Sequence, residues 1–326
     1  FTTATDVYNT AVGHGAGGVV TTGLHNTLIG GLAGVAFTDA DSNTAVGKSA
    51  LSADTLGSGS TAIGSNALAT QNFTTATSSN NVAVGYNSGT SITTALNNTI
   101  MGTNAGYYVT TGSFSLFCGF GAAFGVSGQG LTGNFNVALG YEAGYKLQTS
   151  GTENTFLGAY AGYYNGSSST ANGITTGVNN TAIGFAAYPS SATANNEFTL
   201  GNGAVANLRC NDTSISSLSD ERDKKNIVDV PLGLDFIKTL RPVSFDWDRR
   251  DGSHAGVKDF GFIAQELKTA QDATSYADHM RLVHNGFVEV DEKQQESLEA
   301  DPMKTYPVLI KAVQELSTAL DAALAR

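Results

Sequence analysis

A five-residue phrase, most often Asn-Thr followed by two apolar residues and a closing Gly, recurs through the first two thirds of the chain. The copies are NTAVG (9–13), NTLIG (26–30), NTAVG (43–47), STAIG (60–64), NVAVG (81–85), NTIMG (98–102), SLFCG (115–119), NVALG (136–140), NTFLG (154–158), NTAIG (180–184) and EFTLG (197–201). Their glycines lie 17, 17, 17, 21, 17, 17, 21, 18, 26 and 17 residues apart. A fixed period of this length marks a stacked repeat, with one supersecondary unit per period and a core that closes only when neighbours stack.

Each position of the phrase has a physical reading. The residue before Gly is apolar in all eleven copies and the one two earlier is mostly Thr or Val, which suits a short strand with these two on one face. The residue between them is usually Ala, Phe, Leu or Ile, so both faces are largely apolar. That implies burial on both sides, one against the coil's own interior and one against a neighbour. Gly permits the positive φ of a tight turn. Three residues later stands Ala in ten copies and Ser88 in the other, a sign of close packing. The Asn that opens eight of the units is expected to stack on its equivalents as an amide ladder. Insertions of one, four or nine residues between units are expected to form surface loops.

Charge divides the chain. Residues 1–218 hold 3 Lys/Arg and 8 Asp/Glu, whereas the remaining 108 hold 14 and 20, and four of the five prolines lie beyond the boundary. The net charge of −11 argues against partners that demand a basic face, so neither nucleic acid nor an anionic membrane is expected. No apolar run approaches the roughly 18 residues of a spanning helix, and no signal-peptide layout opens the chain. Because it begins at Phe1, it is expected to belong to a longer polypeptide. Cys118 and Cys210 make neither a disulfide framework nor a metal site and read as small buried hydrophobes.

Other candidate sites carry bland readings. GHGAGG (13–18) fits G-x-G-x-x-G but sits inside a repeat with no crossover helix, so no dinucleotide site is expected. His279 and His284 lack a third ligand, and His14 and His25 read as ordinary polar residues, so no metal or other cofactor is expected. The pairs Tyr107/Tyr108 and Tyr163/Tyr164 read as packing at loop bases, with a glycan-facing role as the alternative.

Beyond residue 218 the pattern is that of a small α+β domain. VPLGLDFIKTLRPVSFDWD predicts a helix ending near Leu240 and then an alternating strand carrying Val243, Phe245 and Trp247. The last helix is predicted to start near Pro307. Tyr306, Leu309, Val313, Leu316, Leu320 and Ala323 follow steps of 3, 4, 3, 4, 3, a short coiled-coil seam.

The stretches SDERDKKNI (219–227), LRPVSFDWD (240–248), GFIAQEL (261–267) and YPVLIKAVQEL (306–316) resemble, in order, the C-terminal intramolecular chaperone of phage tail spikes and fibres, the endosialidase-type self-cleaving family classed as peptidase S74. The repeat region resembles the head repeats of trimeric autotransporter adhesins and the repeat shafts of phage tail fibres. These resemblances imply a mainly β fold: an elongated trimeric parallel β-roll shaft over 1–205, a linker over 206–218 carrying a cleavage site, and a small α+β chaperone domain over 219–326 with a C-terminal coiled-coil helix.

The resemblance also implies a site. In that family the chain is cut before the serine of an S-D-x-R-x-K motif, which places the scissile bond at Leu218–Ser219, the nucleophile at Ser219 and its base at Lys224, with Asp220 and Arg222 at the motif's other positions. A serine hydroxyl needs an adjacent base, and a lysine serves only where burial or a nearby cation lowers its pKa from about 10.4. Five residues along a regular helix place two side chains about 140° apart, so the pair requires a turn before the helix or an approach from another subunit. Taken alone, Ser219 reads equally as a helix N-cap.

The function so implied is the distal part of a phage tail fibre in the virion. It would work as a homotrimer, with a host-surface receptor of glycan or outer-membrane character and other tail proteins as partners, and with a serine-lysine autoprotease that acts once. A bacterial trimeric adhesin is the first alternative, disfavoured because a helix ending at Arg326 leaves no room for a barrel anchor. A polysaccharide-degrading tail spike is the second, disfavoured by the few acidic residues in the repeats.

Overall fold

The structure is a computed structural model that describes residues 7–163, 176–205, 208–211, 219–250, 255–290 and 293–326. The expected linker at 206–218 and the nine-residue insertion fall largely outside these residues. The chain divides into two compact units, Phe1–Asn202 and Gly203–Arg326.

In the first unit every phrase is one strand followed by one turn. The strands are Thr10–Val12, Thr27–Ile29, Thr44–Val46, Thr61–Ile63, Val82–Val84, Thr99–Met101, Leu116–Cys118, Val137–Leu139, Thr155–Leu157, Thr181–Ile183 and Phe198–Leu200. They form one eleven-stranded sheet in which each strand pairs in parallel with the next copy, equivalent residues in register, as in Ala45 opposite Ala62. This is a mainly β solenoid. The closing Gly is required at the corner: Gly47 sits at φ +133°, and a Cβ there would lie 2.5 Å from the Gly64 carbonyl oxygen.

The inward face is the middle residue of each strand. Leu28, Ala45, Ala62, Ala83, Ile100, Phe117, Ala138, Phe156 and Ala182 are all buried, as are Ser88 and the alanines three residues past the Gly from Ala33 to Ala187, whereas Ala16 and Ala204 in the end coils are not. Core volume is shared between the strand and the position four past the Gly. Where the strand contributes Ala45 or Ala62, that position holds Leu51 or Leu68; where it contributes Leu28, Ile100 or Phe156, it holds Gly34, Gly106 or Gly162. A Cβ on Gly162 would enter the Phe156 ring. The exchange holds in these five coils; Ala83 and Ala138 stand instead with Gly89 and Gly144.

The amide column forms, but its partners are backbone groups. Each Asn accepts through Oδ1 the backbone N–H of the residue opening the next unit, as Asn43 to Asn26 at 2.9 Å and Ser115 to Asn98 at 2.9 Å. Its Nδ2 donates to a carbonyl of the same next coil, Asn43 to Gly57 at 2.9 Å and Asn98 to Gly112 at 2.9 Å. One side chain thus satisfies a donor and an acceptor that would otherwise be orphaned inside the coil. Asn98→Ala is expected to cost about 2–4 kcal/mol, since unsatisfied buried groups cost about 1–3 kcal/mol each. A drop in denaturant midpoint with unchanged slope checks this.

Two expectations are corrected here. The insertion between Gly64 and Gly85 is more than a surface loop. Thr77–Ser78 pairs in parallel with Gly57–Ser58, and Gln71, Phe73 and Ser79 are buried. The reason lies at Ser60, a copy lacking the Asn. Gln71 supplies the missing amide, donating to Asp54 Oδ2 (2.6 Å) and accepting from Asn81 Nδ2 (2.9 Å), while Asp54 Oδ1 also takes the N–H groups of Gly57 and Phe73 at 3.0 Å each. Cys118 and Cys210 are exposed rather than buried. Cys118 holds the last strand position, which points out of the coil, and Cys210 lies outside any helix or strand.

The second unit contains helices α1 (Leu234–Ile237), α2 (Ala264–Asp272), α3 (Ala277–Met280) and α4 (Tyr306–Leu324) with two antiparallel hairpins, Val243–Asp246 with Lys258–Gly261 and Val283–Val290 with Lys293–Ala300. Phe236, Leu267, Met280, Leu282 and Val308 make its core. Turn bonds carry α1 on to Leu240, where Arg241-Pro242 ends it. Helix α4 buries Val308 and Ala312, and its Glu315 carboxylate accepts the Leu234 N–H at the start of α1 (2.8 Å). A second stripe, Tyr306, Leu309, Val313, Leu316 and Leu320, is exposed.

Candidate functional site

Asp220 organises the start of the second unit. Its backbone is extended, and its carboxylate accepts the Arg222 backbone N–H at 2.9 Å, so Asp220 rather than Ser219 caps the single 3-10 turn Glu221–Asp223. The same carboxylate takes both arms of the Arg222 guanidinium, Nε at 3.0 Å and Nη2 at 2.6 Å. Hydrogen bonds from Arg222 hold the Asp220 carboxyl below the usual carboxylate range. Asp220 and Arg222 therefore brace the turn and do not reach Ser219 as acid or base.

The turn ends at Lys224, whose backbone is extended again. A 3-10 turn winds more tightly than an α-helix, and the extended residues at its ends let the chain double back. Lys224 Nζ lies 2.6 Å from Ser219 Oγ and 3.0 Å from the Ser219 carbonyl oxygen. A local turn thus brings the serine and the lysine together within one chain. Both side chains are exposed in the single chain. Leu218 lies outside the described residues.

Residues 219–279 match the family model Peptidase_S74, chaperone of endosialidase. The second unit thus carries an endosialidase-type chaperone segment. The match opens on Ser219 and runs through the turn, α1, the short hairpin, α2 and most of α3, and it implies an autoproteolytic peptidase role. No curated protein and no solved structure matches the chain.

Two of the remaining histidines pack on aromatic rings. His25 stacks on Tyr8 at 5.7 Å, and His279 meets Tyr276 edge-on at 5.9 Å. Among the described residues of the single chain no group of three or more His, Cys, Asp or Glu could hold a metal ion, and no helix is long and apolar enough to cross a membrane. Tyr107 and Tyr108 pack with Phe124, and Tyr163 with Tyr145 and Tyr160; Tyr164 lies outside the described residues. The sequence reading missed that Tyr107, Phe124, Tyr145 and Tyr163 form one column along the solenoid. Aromatics recurring five residues past the closing Gly were the signal.

Proposed function

We propose that this chain is the distal part of a phage tail fibre, a homotrimeric β-solenoid that attaches to the host surface, whose C-terminal unit aligns three chains and then cuts itself away between Leu218 and Ser219. The observation that carries the reading is the 2.6 Å approach of Lys224 Nζ to Ser219 Oγ at the first residue of the matched chaperone segment. Ser219 Oγ attacks the Leu218 carbonyl carbon while Lys224 takes the hydroxyl proton. The peptide nitrogen leaves as the amine of Ser219, and water hydrolyses the resulting ester to a Leu218 carboxylate. An exposed lysine is a poor base at neutral pH, so covering the site by a neighbouring subunit would couple cutting to assembly. Mass spectrometry of the purified chain tests it: a product ending at Leu218 is expected, and an intact chain in a folded trimer would overturn the cleavage.

Trimerisation has its own support. The residue before each Gly faces out of the coil, so Val12, Ile29, Ile63, Met101, Leu157 and Leu200 line up as an exposed apolar stripe along the sheet. Stripes of this extent mark association surfaces. The adhesin alternative shares this interface but does not call for a self-cutting segment. Light scattering of the uncut chain is expected to give three times 33.6 kDa. Cys118 lies in the stripe and Cys210 outside it, so a thiol reagent is expected to label Cys210 alone in the native protein and both in denaturant. Equal native labelling would place the interface elsewhere.

A further inference from the structure

Between the Ser219–Lys224 turn and helix α1 runs a strap, 225–231, that is anchored only at its far end, where Val230 and Leu232 pack on the core of the second unit. Among the described residues the strap makes no hydrogen bond, and it belongs to no helix or strand. Ile227 and Val228 in its middle are 63% and 80% exposed. A connection that merely linked the turn to α1 would be served by polar residues, so two adjacent aliphatics in water call for a surface to cover them.

The same unit holds a matching surface. An open cleft of about 830 Å³ lies between α1 and α2, its apolar part made by Leu232, Phe236, Ala270 and Ala273, with Asp235 and Arg241 adding charge. Neither Ile227 nor Val228 lines it in its own chain. Asp235 stands in the first turn of α1 and Arg241 just past its end, while on the strap Lys225 precedes the aliphatic pair and Asp229 follows it. Laid along α1 in the same direction, a strap sets Lys225 against Asp235 and Asp229 against Arg241. Both have capacity to spare: the Asp235 contact with Lys238 is 3.4 Å long, and Arg241 uses Nε and Nη2 on Glu266, which leaves Nη1. We propose that Ile227 and Val228 of each chain dock in the α1–α2 cleft of a neighbouring copy, an exchange of straps that closes as a ring of three.

The chain's own cleft is the competing place for the strap. Pro231 at the base fixes its own φ and favours an extended Val230, so the strap resists folding back at Leu232 onto the cleft beside it. A head-to-tail contact between copies closes without loose ends when each is turned a third of a circle from the last, as in the proposed trimer. The inference rests on the trimeric, self-cutting reading and names the surface through which a neighbour reaches the site. Ile227 is three residues beyond Lys224, so a neighbour that holds the strap also shields the Ser219–Lys224 pair from water. Burial favours the neutral, proton-accepting form of a lysine, and assembly thereby switches on the cut.

The test co-expresses two full-length chains that carry different tags. One has Ile227→Asp with Val228→Asp, and the other has Ala270→Trp, which fills the cleft. Each alone is expected to cut at Leu218 at least tenfold more slowly than wild type. In mixed trimers, isolated through both tags, the intact strap of the second chain meets the intact cleft of the first, so cutting of the Ala270→Trp chain is expected to return. Wild-type rates in either variant alone, or no rescue in the mixed trimers, overturns the exchange. Cross-linking reads the same contact with the cleft left open. Val228→Cys together with Ala273→Cys, oxidised, is expected to give a covalent trimer on non-reducing gels that neither single variant gives. A bond closed within one chain, or none, overturns the exchange while wild-type trimers that cut leave the fibre reading in place. Wild type that neither trimerises nor cuts overturns that reading and the exchange with it.

Discussion

Ser219→Ala is expected to yield a full-length chain with no product ending at Leu218, and Lys224→Ala to slow the cut by about 10²–10⁴-fold, the usual contribution of a positioned base. The two variants separate roles that the geometry joins. Without Ser219 Oγ there is no nucleophile, so the loss is complete. Without Lys224 the nucleophilic hydroxyl is still present and proton removal suffers. Lys224 also touches the Ser219 carbonyl at 3.0 Å, so its removal loosens the serine's placement as well. Arg222→Ala makes the contrast: it breaks the brace on Asp220 while leaving Ser219 and Lys224 in place, and a milder slowing is expected. Gel densitometry over time reads all three. Continued cutting of Ser219→Ala at the same bond would remove Ser219 from the mechanism.

How much of this was legible in the sequence differs by element. The closing glycines marked the corners because a turn at φ near +130° with a neighbouring carbonyl against it admits no Cβ, a constraint written in one residue type. The Asn column was also visible. Its bonding was not, because the groups an amide bonds are backbone atoms one coil away, and spacing does not say which carbonyl comes within reach. The Asp54–Gln71 cluster was hidden for a related reason: Gln71 sits in an insertion, and only the stacked coils bring it to Ser60. Cys118 was misjudged by residue type, since a cysteine's usual burial says less than its place at the outward end of a strand. At the site, the motif placed the lysine five positions after the serine, and the turn capped by Asp220 explains how that separation closes to 2.6 Å.

Residues 1–218 expressed alone are expected to aggregate, and the full chain to give a soluble trimer that persists after the C-terminal unit is cut away. The argument begins with degeneracy. The outward stripe offers Val, Ile, Met or Leu coil after coil, so sliding one chain past another by a whole coil exchanges one apolar residue for another at little cost. Within a chain, the Asp54–Gln71 rung resists such slips, because a shifted coil would leave a buried carboxylate without its donors. The described stripe residues are all apolar or nearly so, and offer no such register mark between chains. The search among slipped trimers is therefore slow and leaves apolar edges exposed while it lasts. Helix α4 supplies what the stripe lacks. Its exposed Tyr306, Leu309, Val313, Leu316 and Leu320 form one short seam that is in full contact only when its ends are level, and three chains joined there are expected to start their coils level. Cutting at Leu218 after the coils have zipped removes the template, so the processed trimer unfolds slowly and does not refold on cooling. Light scattering and thermal melting of the two preparations decide the matter: soluble trimers from 1–218 alone, melting and refolding like the processed product, would show that the solenoid finds its own register and that the C-terminal unit serves some other end.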